Sequence, residues 1–326
     1  IRRIFIGSDT QGSVANLSFT TWATFNNLDF QDIALNSARS GTSIGNCGGC
    51  TNITFDAAKT VYWNLAGTVL FSSVGWATTS GGTPALSNFP LAQDTIIFDN
   101  AGAVTSISSS GTFNFGTINL SARTSALTID PAKLRVYGNW INSSSASVVF
   151  STITNILLFR GNTNTTITSS GRPINASIEI DKSSSASVTL QDALTMTTTS
   201  TFYAIYLSGG IFNSNNYNVT LTNSSTANSF WSITTLSKTL AIGTSTWSIT
   251  GSSGTTTAWD VGGSNLTITG TGTISLISAS AKTFAGGGFN YGSVTLNQGG
   301  AGALTITGSN TFGNITNTRN TVSATS

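Results

Sequence analysis

Histidine is absent from the 326-residue sequence, and glutamate occurs once, as Glu179. The first absence removes Ser-His-Asp and Cys-His nucleophiles, imidazole general bases and every His-ligated zinc or haem site. One Glu and ten Asp spread along the chain leave little material for paired-carboxylate chemistry. Charge is scarce altogether: 7% of residues are Asp, Glu, Lys or Arg, against about a quarter in an ordinary soluble domain. The net charge is +2 with no basic run, so nucleic-acid phosphates and anionic lipid surfaces have little to attract. No apolar stretch approaches the roughly 20 residues of a membrane-spanning helix. The chain opens on Ile1-Arg2-Arg3, which reads as a processed product or as part of a longer chain.

What is present is small and polar, with 48 Ser, 55 Thr, 34 Gly and 30 Asn, yet hydrophobic residues still make up 39%. That is enough apolar material to build a core, unlike a disordered tail. Strong helix formers are rare, and apolar residues do not recur at spacings of three and four. Segments such as Asn265-Leu266-Thr267-Ile268-Thr269 and Ser293-Val294-Thr295-Leu296 instead alternate apolar with polar residues, and Gly, Asn or Ser clusters separate them. They read as short strands joined by tight turns.

These strands repeat. Ser143-Ser144-Ser145-Ala146-Ser147-Val148 recurs at Ser183-Ser184-Ser185-Ala186-Ser187-Val188, and Leu266-Thr267-Ile268-Thr269-Gly270 recurs at Leu304-Thr305-Ile306-Thr307-Gly308. Offsets of 40 and 38 suggest two coils of about 19–20 residues each. Nearer the amino terminus, Asn27-Leu28-Asp29-Phe30 and Asn52-Ile53-Thr54-Phe55 set a step of 25 and suggest a stacked Asn ladder at a turn. A larger echo links Phe113-Asn114-Phe115-Gly116 to Phe289-Asn290-Tyr291-Gly292. The expected fold is all-β: a parallel β-helix or β-solenoid with coils of about 19–25 residues, the alternative being tandem β-sandwiches. Stacked parallel strands set like side chains over one another, which disfavours columns of charge and favours Ser, Thr and Asn. Three regions follow: an amino-terminal β-helical part over 1–77, a proline-bearing loop or boundary over 78–93, and a Ser/Thr/Asn-rich solenoid over 94–326.

Few residues suggest chemistry. Cys47-Gly48-Gly49-Cys50 has too few partners for zinc and no following helix for redox work, leaving a small loop disulfide or two idle thiols. In the amino-terminal register Asp29 and Asp56 would face outward on neighbouring coils, within the roughly 5–10 Å used by glycosidase carboxylates; as catalytic candidates they are weak, solvated surface Asp at turns being the plainer reading. Seven Trp, at positions 22, 63, 76, 140, 231, 247 and 259, serve mainly as core, with some offering flat faces for sugar rings.

The runs Phe159-Arg160-Gly161-Asn162-Thr163-Asn164, Ile178-Glu179-Ile180-Asp181-Lys182-Ser183 and Leu207-Ser208-Gly209-Gly210-Ile211-Phe212-Asn213 resemble the Thr/Asn-rich β-solenoid repeats of bacterial surface adhesins. Ala281-Lys282-Thr283-Phe284-Ala285-Gly286-Gly287-Gly288 and Leu91-Ala92-Gln93-Asp94-Thr95-Ile96-Ile97-Phe98-Asp99 look similar to structural and tail-fibre-like proteins of tailed phages. The resemblance implies a non-enzymatic virion or fibre component that meets a host surface, commonly a homotrimer among other virion proteins. A surface glycan is the implied ligand. An adhesin or surface filament is the second reading, and a β-helical polysaccharide depolymerase the third. No cofactor, metal, nucleic acid or membrane span is expected.

Overall fold

The computed structural model describes residues 3–21, 24–109, 111–151, 154–199, 201–223, 228–251, 256–263 and 265–319. Within them the chain is all-β with long parallel sheets, and its one helical element is a 3-10 turn at Leu86–Asn88. Antiparallel pairing among the described residues is confined to Trp76–Ala77 running back along Thr60–Trp63. The hairpins of a sandwich are therefore missing there.

The chain visits three faces in turn. The first face stacks Phe113–Phe115, Lys133–Val136, Ile156–Gly161, Ser177–Lys182, the first half of Tyr203–Asn213, Asn228–Trp231, Thr256–Asp260, Lys282–Ala285 and Leu304–Thr307. The second runs from Thr60–Trp63 through Thr95–Ile97, Thr117–Asn119, Trp140–Ile141, Thr165–Thr168 and Ser187–Leu190. It continues in the second half of Tyr203–Asn213 and in Lys238–Gly243, and ends at Leu266–Gly270. The third holds Gly67–Leu70 to Val148–Phe150, then Leu194–Thr198 to Asn314–Asn317. Between those two runs the Asn175 side chain stands in for a strand: its Oδ1 accepts from the Phe150 N–H at 2.8 Å and its Nδ2 donates to the Phe150 carbonyl at 2.7 Å. Because Tyr203–Asn213 belongs to two faces, their pairings form one connected ladder.

Circuits differ in length: Thr295 meets its register partner Asn314 within the expected span of about 19–25 residues, while others run beyond it. A return to the first face runs from Leu157 to its register partner Ile178, and a longer one from Phe230 to Trp259. The sequence repeats mark strands on different faces: Val148 pairs on the third and Val188 on the second, while Leu266 lies on the second and Leu304 on the first. Likewise Phe113–Phe115 is a first-face strand, whereas Asn290 only bridges Thr311 between strands. Every face asks for the same short alternation of apolar and hydroxyl residues, so similarity reports strand-turn units and is blind to which face they occupy.

Inward side chains fill one continuous core from Val61 to Leu296. On the first face Leu134, Leu157, Ile178, Ile205, Phe230, Trp259 and Phe284 are register partners in a single column. Its rings stack, with centroids 4.2 Å apart for Phe230–Trp259 and 5.5 Å for Trp259–Phe284. Outward on the third face runs the expected uncharged ladder: Thr195, Thr220, Ser248, Ser275, Asn297 and Thr316. The expected Asn ladder takes another form. Asn side chains cap backbone on the next circuit: Asn139 Oδ1 accepts from the Thr166 N–H, Asn164 from Ser187 and Asn216 from Thr244, at 2.8 to 3.0 Å.

The few buried cations serve the same turns. Arg123, fully buried, donates to the carbonyls of Asp99, Val104, Ser125 and Ala126. Lys182 donates to those of Arg160 and Thr163 at 2.9 Å. Satisfying turn carbonyls in this way lets a charge sit inside without a carboxylate partner.

Strand pairing moves the amino-terminal boundary. Thr60–Trp63 and Gly67–Leu70 pair with Thr95–Ile97 and Val104–Ser109, so they belong to the large stack rather than to a unit ending at residue 77. The segment 78–93 is free of strands, but Phe89, Leu91 and Ala92 within it are buried. What remains is a small module up to about residue 56 with parallel sheets of its own: Ile4–Gly7, Leu28–Gln31 and Gly45–Asn46 in one, Ala15–Leu17, Ile33–Thr42 and Thr51–Thr54 in another. Phe30, Ile33, Leu35 and Ile44 form its buried centre.

Candidate functional site

Alternation along the first face decides which side chains point out. Flanked by inward Ile178, Ile180 and Ile205, the outward residues are Glu179, Asp181 and Tyr206. Arg135, Leu158, Glu179, Tyr206, Trp231 and Asp260 are successive register partners, a column of about 24 Å at roughly 4.8 Å per strand. Several of the large stack's few charges gather here, with Asp181, Lys133 and Arg160 completing the group.

The group is knitted together. Lys133 Nζ lies 3.0 Å from Glu179 Oε2, and Arg160 Nε 2.9 Å from Asp181 Oδ2. The Tyr203 hydroxyl donates to Glu179 Oε2 at 3.2 Å. Burial pushes the Asp181 carboxyl above its ordinary range, opposed by the Arg160 charge, and burial together with Glu179 pushes the Tyr203 and Tyr206 phenols up. Beside these charges Tyr206 and Trp231 stack at 4.6 Å and 30°, with Tyr203 5.0 Å from Tyr206 and Phe202 half exposed at the margin. Tyr206 and Trp231 are themselves half-buried, so this aromatic shelf meets solvent. It offers flat apolar rings flanked by hydrogen-bonding carboxylates, a pairing suited to the two chemically distinct sides of a sugar.

Of the Trp residues, 63, 76, 140, 247 and 259 are buried core and Trp231 alone among the described ones faces outward; Trp22 lies outside the described residues. The shelf's charged residues escaped composition-based reasoning, although Ile178-Glu179-Ile180-Asp181 carries its signal. The sole Glu of the chain sits there two residues from an Asp in a strand with inward isoleucines.

Asp29 and Asp56 stand elsewhere. The register expected from the sequence does not occur: Asp29 aligns with Gly45, and Ile53 pairs with Arg39. Asp29 is not outward to solvent but 2% exposed, gripped by Arg3 Nε at 2.6 Å and Asn114 Nδ2 at 2.8 Å. Asp56 accepts from the Ile44 N–H at 3.1 Å. The would-be solvent face of the module is the face that docks on the stack. Tyr137 also donates to Gln31 Oε1 at 3.0 Å across this junction, and the Asn46 N–H donates to Gln93 Oε1 at 2.8 Å.

Cys47 and Cys50 are both free thiols, with Cys47 buried and its pKa pushed well up by burial and by Asp29. In Cys47-Gly48-Gly49-Cys50 the glycines explain the motif. Both have positive φ, +98° and +72°, and a Cβ on Gly48 would collide with Asn162 Oδ1, so the turn is a docking contact that only glycine permits.

No helix of the described residues is long and apolar enough to cross a membrane, and no group of three or more His, Cys, Asp or Glu there could hold a metal ion. No family model, no curated protein and no solved structure matches the chain.

Proposed function

We propose that the protein is a parallel β-helix acting as a non-enzymatic extracellular binding rod, a virion or tail-fibre-like component that meets glycan through the shelf of Tyr206 and Trp231. The winding is supported by the orderly visit to three parallel faces around one core. The observation that carries the function is the solvent-facing Tyr206–Trp231 stack beside Glu179 and Asp181. Binding is favoured over cleavage because both carboxylates are already engaged, Glu179 by Lys133 and Tyr203, Asp181 by Arg160. A surface adhesin would use the same shelf.

The test is equilibrium binding of the intact chain to immobilised surface polysaccharides of candidate host bacteria, with reducing ends assayed in parallel. Trp231→Ala is expected to weaken binding by about tenfold or more, the loss of roughly 1.4 kcal/mol. Unchanged affinity in that variant rejects the shelf. Reducing ends that rise with the wild type and not with Asp181→Asn would replace the binding rod by a depolymerase.

A further inference from the structure

A second site lies at the foot of the first face, where the module docks. A cavity of about 350 Å³ opens between Arg3, Asp29, Asn114 and Arg135, within the roughly 300–1,000 Å³ of small-molecule sites. Its walls are the rings of Phe5, Phe89 and Phe113. The Arg3 guanidinium sits 5.5 Å over Phe89 and that of Arg135 5.4 Å over Phe5. Arg3 is matched to Asp29, which leaves Arg135 as the cavity's surplus positive charge.

Two polar groups here lack partners. Asn114 is 6% exposed; its Nδ2 donates to Asp29, which fixes the amide orientation because a carboxylate only accepts. Its Oδ1 therefore stands buried with no partner, as does Arg135 Nε. An orphaned buried acceptor is destabilising, so a ligand that donates to it gains accordingly. The cavity thus presents one unmatched cation, one unmatched acceptor and apolar ring surfaces.

We propose that this cavity binds a monoanionic six-membered sugar acid of the uronate type, with its carboxylate on Arg135, a hydroxyl donating to Asn114 Oδ1, and its apolar ring face against the phenylalanines. The site shares Arg135 with the foot of the shelf's column but uses neither Tyr206 nor Trp231.

The test is titration of the intact chain, by calorimetry and by ligand-observed NMR, with sodium glucuronate, glucose and sodium benzoate. Glucuronate is expected to saturate with a Kd of about 1 mM or tighter and to weaken as salt rises. Glucose and benzoate, lacking the carboxylate and the hydroxyls respectively, are each expected to bind about tenfold more weakly or worse. Arg135→Gln should cost about tenfold. Thr112→Glu, on the exposed rim, should do the same by repulsion and covers the case in which the first variant folds poorly. Trp231→Ala should change nothing, which separates this site from the shelf. Absence of saturation by glucuronate, glucose binding as tight as glucuronate, or indifference to both variants overturns the proposal. Benzoate binding equal to glucuronate overturns the sugar assignment.

Discussion

The large stack and the small module are built from the same parallel strands, yet they are held together differently. In the stack, circuits such as Leu157 to Ile178 and Phe230 to Trp259 share one apolar interior, and nearly every inward side chain has a register partner above and below. The module takes shorter steps, from Asp29 to Gly45 and from Ala15 to Ile33, and among the described residues only four apolar side chains lie at its buried centre. Its first sheet turns Asp29 and Gln31 toward the stack rather than toward water, so polar docking supplies what depth of core does not. Stability in a repeat array grows with neighbours, and a unit of so few rungs has to borrow them.

The largest effect should come from the middle of the stack. Trp259 is fully buried between Phe230 and Phe284, at centroid distances of 4.2 and 5.5 Å. Trp259→Ala removes these two stacked contacts, the edge contact with Trp247 and the hydrogen bond to Tyr291, and leaves a cavity, an expected loss of about 3–5 kcal/mol. Denaturant unfolding of the stack checks this; a loss below about 1 kcal/mol would mean that the column can collapse around the gap and that stacking depth is not what holds it.

Next comes the junction. Arg3 and Asp29 are an almost completely buried pair, 4% and 3% exposed at their side chains. Asp29→Ala strands Arg3 without a carboxylate, and breaking a buried pair from one side costs about 3–5 kcal/mol. The expected outcome is selective: the module loosens while the main unfolding transition of the stack stays in place. The buried Cys47 thiol reports it, since its labelling by a disulfide reagent should accelerate in the variant. Labelling that stays at the wild-type rate would show that the module's own core suffices.

This contrast also explains what could be read in advance. Alternation in segments such as Leu266-Thr267-Ile268-Thr269 specified strands, and uncharged columns specified stacking, because both are local demands of every rung. The variation in circuit length and the face of each strand were hidden, since turns of different length join strands that look alike on all three faces; hence Val148 and Val188 match in sequence and pair on different faces. The docking of the module was hidden too. Asp29 and Gln31 read as solvent residues because alternation tells which residues leave the core, and is silent on what covers them afterwards. The shelf was half legible: Trp231 was among the candidate sugar platforms, but its neighbours Tyr206 and Glu179 come from strands one and two circuits earlier, brought alongside only by register.

The smallest effect concerns Lys182, which closes the turn next to Ser183, against which Gly12 of the module packs. Burial lowers the Lys182 pKa to about 7, partly offset by Asp181, whereas an unfolded lysine titrates near 10.4. Between those values the unfolded chain holds more protons than the folded one, so stability rises with pH across the window and is flat below it. The slope is at most about 1.4 kcal/mol per pH unit from this one group. Burial also lowers Lys238 and Lys282 in the stack, so Lys182→Met should reduce the slope between pH 7 and 9 without abolishing it. Melting temperatures across that range decide the matter. An undiminished slope in the variant would place the proton uptake in the stack's other lysines and leave this junction turn insensitive to pH.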